Sequence, residues 1–202
     1  MKKHGIGAAA LLALIACCVA LGVSLVGCSS SSSGSAHTVY KVQPVVKAAG
    51  SKGFDCYEVV YYNEGKKDKN TEGIALVEHN NDILTRLDDE YHLKKSDGWT
   101  EDDAKKVAAE LYTGLGTSDF VTKSVADKGD YYCVHVKYDN LTNLDNLQKM
   151  VDNGVLEMTD EGAGSKVSER FSAGSVMNSI VFSGGKKLSD DEASRLDLHY
   201  SE

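Results

Sequence analysis

Residues 5–27 carry no charged side chain and follow a short basic start at Lys2 and Lys3. An uncharged run of this length can span a bilayer, so it takes the first 27 residues out of any folded domain. Two readings compete. The run is either a retained transmembrane anchor or an export signal that is cut away.

The end of the run favours export. Leu25-Val26-Gly27-Cys28 matches a bacterial lipobox: a branched apolar residue, a branched or small one, a small one, then cysteine. It resembles the site at which lipoprotein processing attaches diacylglycerol to the Cys thiol and cleaves before it. That chemistry needs a thiol to carry the thioether. It also needs a small preceding residue, so that the peptidase can reach the scissile bond. Residues 29–35 are six Ser and one Gly, a solvated tether with nothing to bury. A coincidental Cys in an apolar helix is the alternative, and Cys17 and Cys18 show that such residues occur here.

The expected lipidation site is therefore Cys28, and its covalent diacylglycerol, with a palmitate-like chain, is the one cofactor expected. The expected location is the cell membrane, lipid-anchored and facing the extracytoplasmic side. ATP-driven and nicotinamide-dependent chemistry do not suit that location, whereas disulfides do. The triplet Asn140-Leu141-Thr142 matches a glycosylation acceptor but reads here as a helix start, with Thr142 as opener.

The signal also masks part of the charge. The whole chain is -8 at pH 7, but beyond residue 27 it holds 20 basic against 30 acidic side chains, or -10. An acidic domain without a basic stripe excludes nucleic acid as a partner. It also disfavours flat contact with anionic lipid, which leaves the anchor to hold the protein at the membrane.

The remaining chain divides into a lipidated Cys and tether at 28–53, a domain at 54–188 and an acidic C-terminal tail at 189–202. In residues 54–62, Tyr57, Val59 and Tyr61 alternate on one face of a strand. A polar turn follows over 63–70, then a strand at 74–79, a turn at Asn80-Asn81 and an alternating segment at 83–94 that favours strand over helix. Thr100, with Asp103 three residues on, opens a helix over 100–113. Residues 120–126 and 131–138 form a hairpin. Further helices are expected from Thr142 and over 172–182, with a short turn capped by Ser189 and a weak strand at 39–46. This order predicts an α+β fold: an antiparallel sheet of about five strands with two to three helices on one face. Tyrosines on the inner strand faces suit sheet packing better than a ring-stacking ligand surface.

Besides Cys28, only Cys56 and Cys133 remain in the domain, each mid-strand and opposite its strand's apolar stripe. An even pair in an oxidising place predicts a structural disulfide, with two separate thiols as the alternative. No CxxC and no nearby His pattern suggests metal or redox chemistry. His79, His92, His135 and His199 are scattered. Of the acidic clusters, 101–103 and 190–192 suit helix starts, and none, 88–90 included, has calcium-loop spacing. The stretch at 162–166 lacks P-loop spacing, and no nucleophile has a base near it in sequence. No catalytic residue, no metal ligand and no ligand-binding residue is assigned on this reading.

Thr100-Glu101-Asp102-Asp103-Ala104-Lys105 opens a helix. Gly129-Asp130-Tyr131-Tyr132 opens a strand that leads to a leucine-spaced helix, and residues 175–182 form a terminal helix backed by glycines. In this order and behind a lipobox, these segments resemble the YehR-type bacterial lipoproteins over roughly residues 54–187. The resemblance implies an α+β domain and export, and it supplies no active-site residues. The expected role is a membrane-anchored, non-enzymatic domain that binds a small molecule or an envelope protein. The alternatives are an envelope-modifying hydrolase and a structural or surface-interaction lipoprotein.

Replacing Cys28 by Ser is expected to abolish incorporation of radioactive fatty acid in bacterial cells; undiminished label would rule out lipidation at this residue.

Overall fold

Strand alternation and capped helices organise the chain, seen here as a computed structural model that describes residues 37–39, 52–61, 71–116, 118–158 and 166–196. The lipobox with Cys28, the serine tether, the turn expected at 63–70, the glycine-rich stretch at 162–165 and the tail beyond 196 lie outside the described residues. Eight strands are described: β1 (His37–Val39), β2 (Lys52–Tyr61), β3 (Thr71–Asn80), β4 (Ile83–Lys94), β5 (Val121–Asp127), β6 (Tyr131–Tyr138), β7 (Leu156–Met158) and β8 (Lys186–Lys187). Six of them form one antiparallel sheet in the order β5-β6-β4-β3-β2-β8. The short β1 pairs with β7 in parallel, apart from that sheet.

The hairpin between β3 and β4 turns on Asn81 and Asp82, both at positive φ, 51° and 66°. Two such residues make the turn whose twist matches antiparallel strands, and Asn and Asp tolerate it well. Asp82 does a second job. Its carboxylate accepts from Ser172 Oγ at 2.8 Å and from the Gly174 amide at 2.7 Å. This places an anion at the start of α3 (Ala173–Phe182), where the helix dipole favours it, and ties that helix to the sheet.

The other helices start where side chains can cap them. Thr100 and Asp103 form a reciprocal capping box at α1 (Glu101–Glu110). Asn143 rather than the expected Thr142 caps α2 (Leu144–Asp152), its side chain accepting from the Asp145 amide. Ser189 and Glu192 make a second capping box at α4 (Asp190–Arg195).

On one sheet face Tyr57, Val77, Leu87, Tyr91, Val134 and Tyr138 pack against apolar residues of α1, α2 and α3. Burying residues of this size is worth roughly 1.5–3 kcal/mol each relative to exposure. The α+β class and the placing of α1, α2 and α3 on one face agree with the sequence. The tyrosines of β2 and β6 that are buried, Tyr57 and Tyr138, serve packing. The sheet has six strands rather than about five, because Lys186 and Lys187 add a short edge to β2.

The reverse face carries a smaller apolar cluster of Cys56, Ile74, Leu76 and Leu188, with Ala193 and Leu196 of the α4 region packed on it. The start of the acidic tail is thus a helix docked on the sheet. Leu188 supplies the anchor, its amide donating to the Cys56 carbonyl at 2.9 Å.

The expected disulfide between Cys56 and Cys133 is corrected by the strand order. Cys56 lies on β2 and Cys133 on β6, with β3 and β4 between them, and both sulfurs are buried thiols. Three interstrand spacings of about 4.8 Å put the backbones roughly 14 Å apart, whereas a disulfide tolerates at most about 7 Å between Cα atoms. The register widens the gap. Cys56 pairs with Leu76 and through it with Asp88, four residues along β4 from His92, the partner of Cys133. Unfolding without reductant is expected to leave both cysteines open to alkylation in a peptide mass map. A linked peptide containing 56 and 133 would contradict this topology.

Candidate functional site

The middle strand is where the sequence departs from ordinary sheet chemistry. Asp88, Asp89 and Glu90 stand in succession on β4 and are 0%, 0% and 2% exposed. Burying a carboxylate costs several kcal/mol unless partners compensate it. Strand alternation sends Asp89 to the helical face and Asp88 and Glu90 to the reverse face.

On the helical face Asp89 lies near Tyr112. Burial, and after it the Asp89 charge, holds the Tyr112 hydroxyl well above its ordinary pKa, while a hydrogen bond with Tyr91 offsets part of this. The Tyr112 ring meets Tyr138 edge-on at 6.0 Å. Tyr112 also has a positive φ of 45°, a conformation that costs a non-glycine residue about 1 kcal/mol or more and that the packed ring holds in place. This network serves the core.

The reverse face is different. Arg86 and Asp88 form a close pair, with Arg86 Nε 2.8 Å from Asp88 Oδ2 and 3.1 Å from Oδ1. His135 Nε2 approaches Asp88 Oδ1 at 3.6 Å. Beside this pair His92 Nε2 lies 3.2 Å from Glu90 Oε2. The antiparallel register sets Glu90 directly opposite His135, and His92 directly opposite Cys133. Glu90-x-His92 on one strand and Cys133-x-His135 on the next thus mark the four corners of one patch. Donor atoms of Glu90, His92 and Cys133 all lie within 4.8 Å of one another.

The surroundings position this patch. The Tyr131 ring stacks obliquely on His92, centroids 4.4 Å apart, and limits how that imidazole can turn. Ile74 pairs with Glu90 and Leu76 with Asp88, so the apolar half of the face forms one wall. Glu72 and Lys94 pair at 2.9 Å on the exposed rim. Cys133 is 1% exposed, whereas the His92 side chain keeps 18% exposure and forms the open corner.

No ligand spacing is visible along the chain, yet the fold brings a carboxylate, an imidazole and a thiol together. His79 lies elsewhere, 3.6 Å from Asp55. His199 lies outside the described residues. Cys56 stays in the apolar cluster. The signal that could have found the site is the pair of i, i+2 motifs, Glu-x-His and Cys-x-His, each sharing one strand face.

No protein-family model matches the chain, and no curated protein matches it. Among solved structures it is similar to the NMR structure of the E. coli YehR protein, with a TM-score of 0.46 and 14% identity, over 74% of this chain and 96% of that one.

Removing one member of the Arg86–Asp88 pair would leave a fully buried carboxylate without its cation. Arg86→Ala is expected to destabilise the fold by about 3–5 kcal/mol, read by urea denaturation. A loss under about 1 kcal/mol would mean that the pair does not carry the burial of Asp88.

Proposed function

We propose that the chain is a lipid-anchored extracytoplasmic lipoprotein whose domain is a non-enzymatic binding module, with the reverse face around Glu90, His92 and Cys133 as its binding surface. The observation that carries this reading is the convergence of three different donor groups on the sheet face opposite the main helical layer. The lipobox at Cys28 supports the anchoring, and the serine tether would give the domain reach from the membrane. The partner would be a small molecule or ion, or an envelope component that offers groups complementary to these donors.

A second reading has a specific observation behind it. Glu90, His92 and Cys133 are the residue types of an acid–His–Cys hydrolase set, and the acid already contacts the imidazole. A nucleophilic thiol must reach a substrate carbonyl, however, and reactive cysteines are partly exposed. At 1% exposure Cys133 is placed to hold something inside the site rather than to attack something outside it.

A thermal-shift screen of the full chain in detergent against divalent metals, sugars, amino acids and envelope fragments separates the readings. A ligand that binds only the folded state adds about 2.7 kcal/mol at a hundredfold excess over its Kd. The expected result is a raised midpoint that His92→Ala removes. Turnover of the hit would replace binding by catalysis, and silence across the whole screen would overturn this face as a small-ligand site.

A further inference from the structure

The geometry points to a zinc-class divalent metal site at Glu90, His92 and Cys133, an inference that rests on the reading of this face as the binding surface. Thiolate, imidazole and carboxylate are together the donor set that suits Zn²⁺. Around one tetrahedral ion, bonds of about 2.0–2.3 Å put donor atoms roughly 3.3–3.7 Å apart. Glu90 Oε2 and His92 Nε2 already stand at 3.2 Å, and the three donors lie within 4.8 Å. Small side-chain rotations would close the remaining distance.

The supporting structure is rigid where a metal site needs it to be. Both strands lie inside the sheet, with β4 between β3 and β6, and β6 between β4 and β5. Direct cross-strand pairing of His92 with Cys133 fixes the two ligands in register. Tyr131 holds the imidazole by ring contact. Energetics point the same way. A carboxylate at 2% exposure and a thiol at 1% are costly neighbours once the thiol ionises, and a dication between them turns that cost into attraction.

Binding forms three coordination bonds and releases the Cys133 thiol proton to solvent, with no change of oxidation state. Three protein ligands leave a fourth position, as in zinc sites that keep an exchangeable water. It would open beside His92, the one corner with appreciable exposure. An anionic or nitrogen-bearing ligand could then reach the ion from outside the sheet.

Cobalt(II) tests this directly, because thiolate ligation gives a near-ultraviolet charge-transfer band that carboxylate or imidazole alone does not. The full chain in detergent, kept reduced with a thiol-free phosphine, is titrated with Co²⁺ and then with Zn²⁺. A band saturating at one equivalent and bleached by Zn²⁺ is expected. Cys133→Ser should abolish the band, and Cys56→Ser should leave it intact. Glu90→Gln and His92→Gln should each weaken Co²⁺ binding about tenfold or more. These near-isosteric variants, checked by circular dichroism, carry the test if Cys133→Ser does not fold. No band in the reduced wild type, a band that survives Cys133→Ser, or unchanged affinity in both Gln variants would overturn the metal site. An organic ligand that still shifts the melting midpoint without metal would leave the binding surface standing; loss of both would remove it as well.

Discussion

Carboxylates on both faces of the middle strand are the constraint to which the rest of the sheet answers. A strand cannot send Asp88, Asp89 and Glu90 to one side, so each face must absorb charge as well as apolar packing. The helical face does so with tyrosines, whose hydroxyls bring polar groups into a core without the cost of a second charge. The reverse face answers with Arg86, His92 and His135. Partners drawn from β4 itself and from β6 hold the two strands in one register, since a slip by one residue would exchange the faces and strand every charge in the wrong layer.

Much of the fold was legible because it is local. Alternation in β2, β4 and β6 and the caps at Thr100 and Ser189 depend on neighbours a few residues away. Strand order depends on contacts between distant segments, and there the sequence misled. Cys56 and Cys133 share a sheet face and an even count, which is the local signature of a bridge. Two intervening strands decide otherwise. The candidate site failed to show for the same reason. Glu90 and His92 read as alternating polar residues on a half-solvated strand, and acidic residues are normally exposed. Only the pairing of β4 with β6 turns two unremarkable i, i+2 spacings into one patch.

The docked α4 bears on this division of the face. Leu188, Ala193 and Leu196 cover Cys56, Ile74 and Leu76 and leave the polar half beyond them. Three acids opening a six-residue helix read in sequence as a solvated tail, and the capping box at Ser189 is real. The signal for docking was Leu188, an isolated apolar residue just before the cap, in the position where a hydrophobic contact fixes how a chain enters a helix. By covering the apolar end, α4 confines what remains of the reverse face to groups that can hold charge.

The two buried thiols then make an internal contrast. Both are mid-strand, both are almost fully buried, and both occupy the reverse face. Cys56 sits among leucine and isoleucine, where a thiol behaves as a small hydrophobe and another apolar group of its size would serve. Cys133 sits opposite an imidazole and beside a carboxylate, where a hydrophobe of equal size would pack as well at lower cost. Well-packed apolar residues in place of a buried polar cluster commonly raise stability. Packing alone therefore accounts for Cys56 but not for the company Cys133 keeps. That company has a physical rationale when the three groups share one ligand, a dication with room for soft and hard donors together.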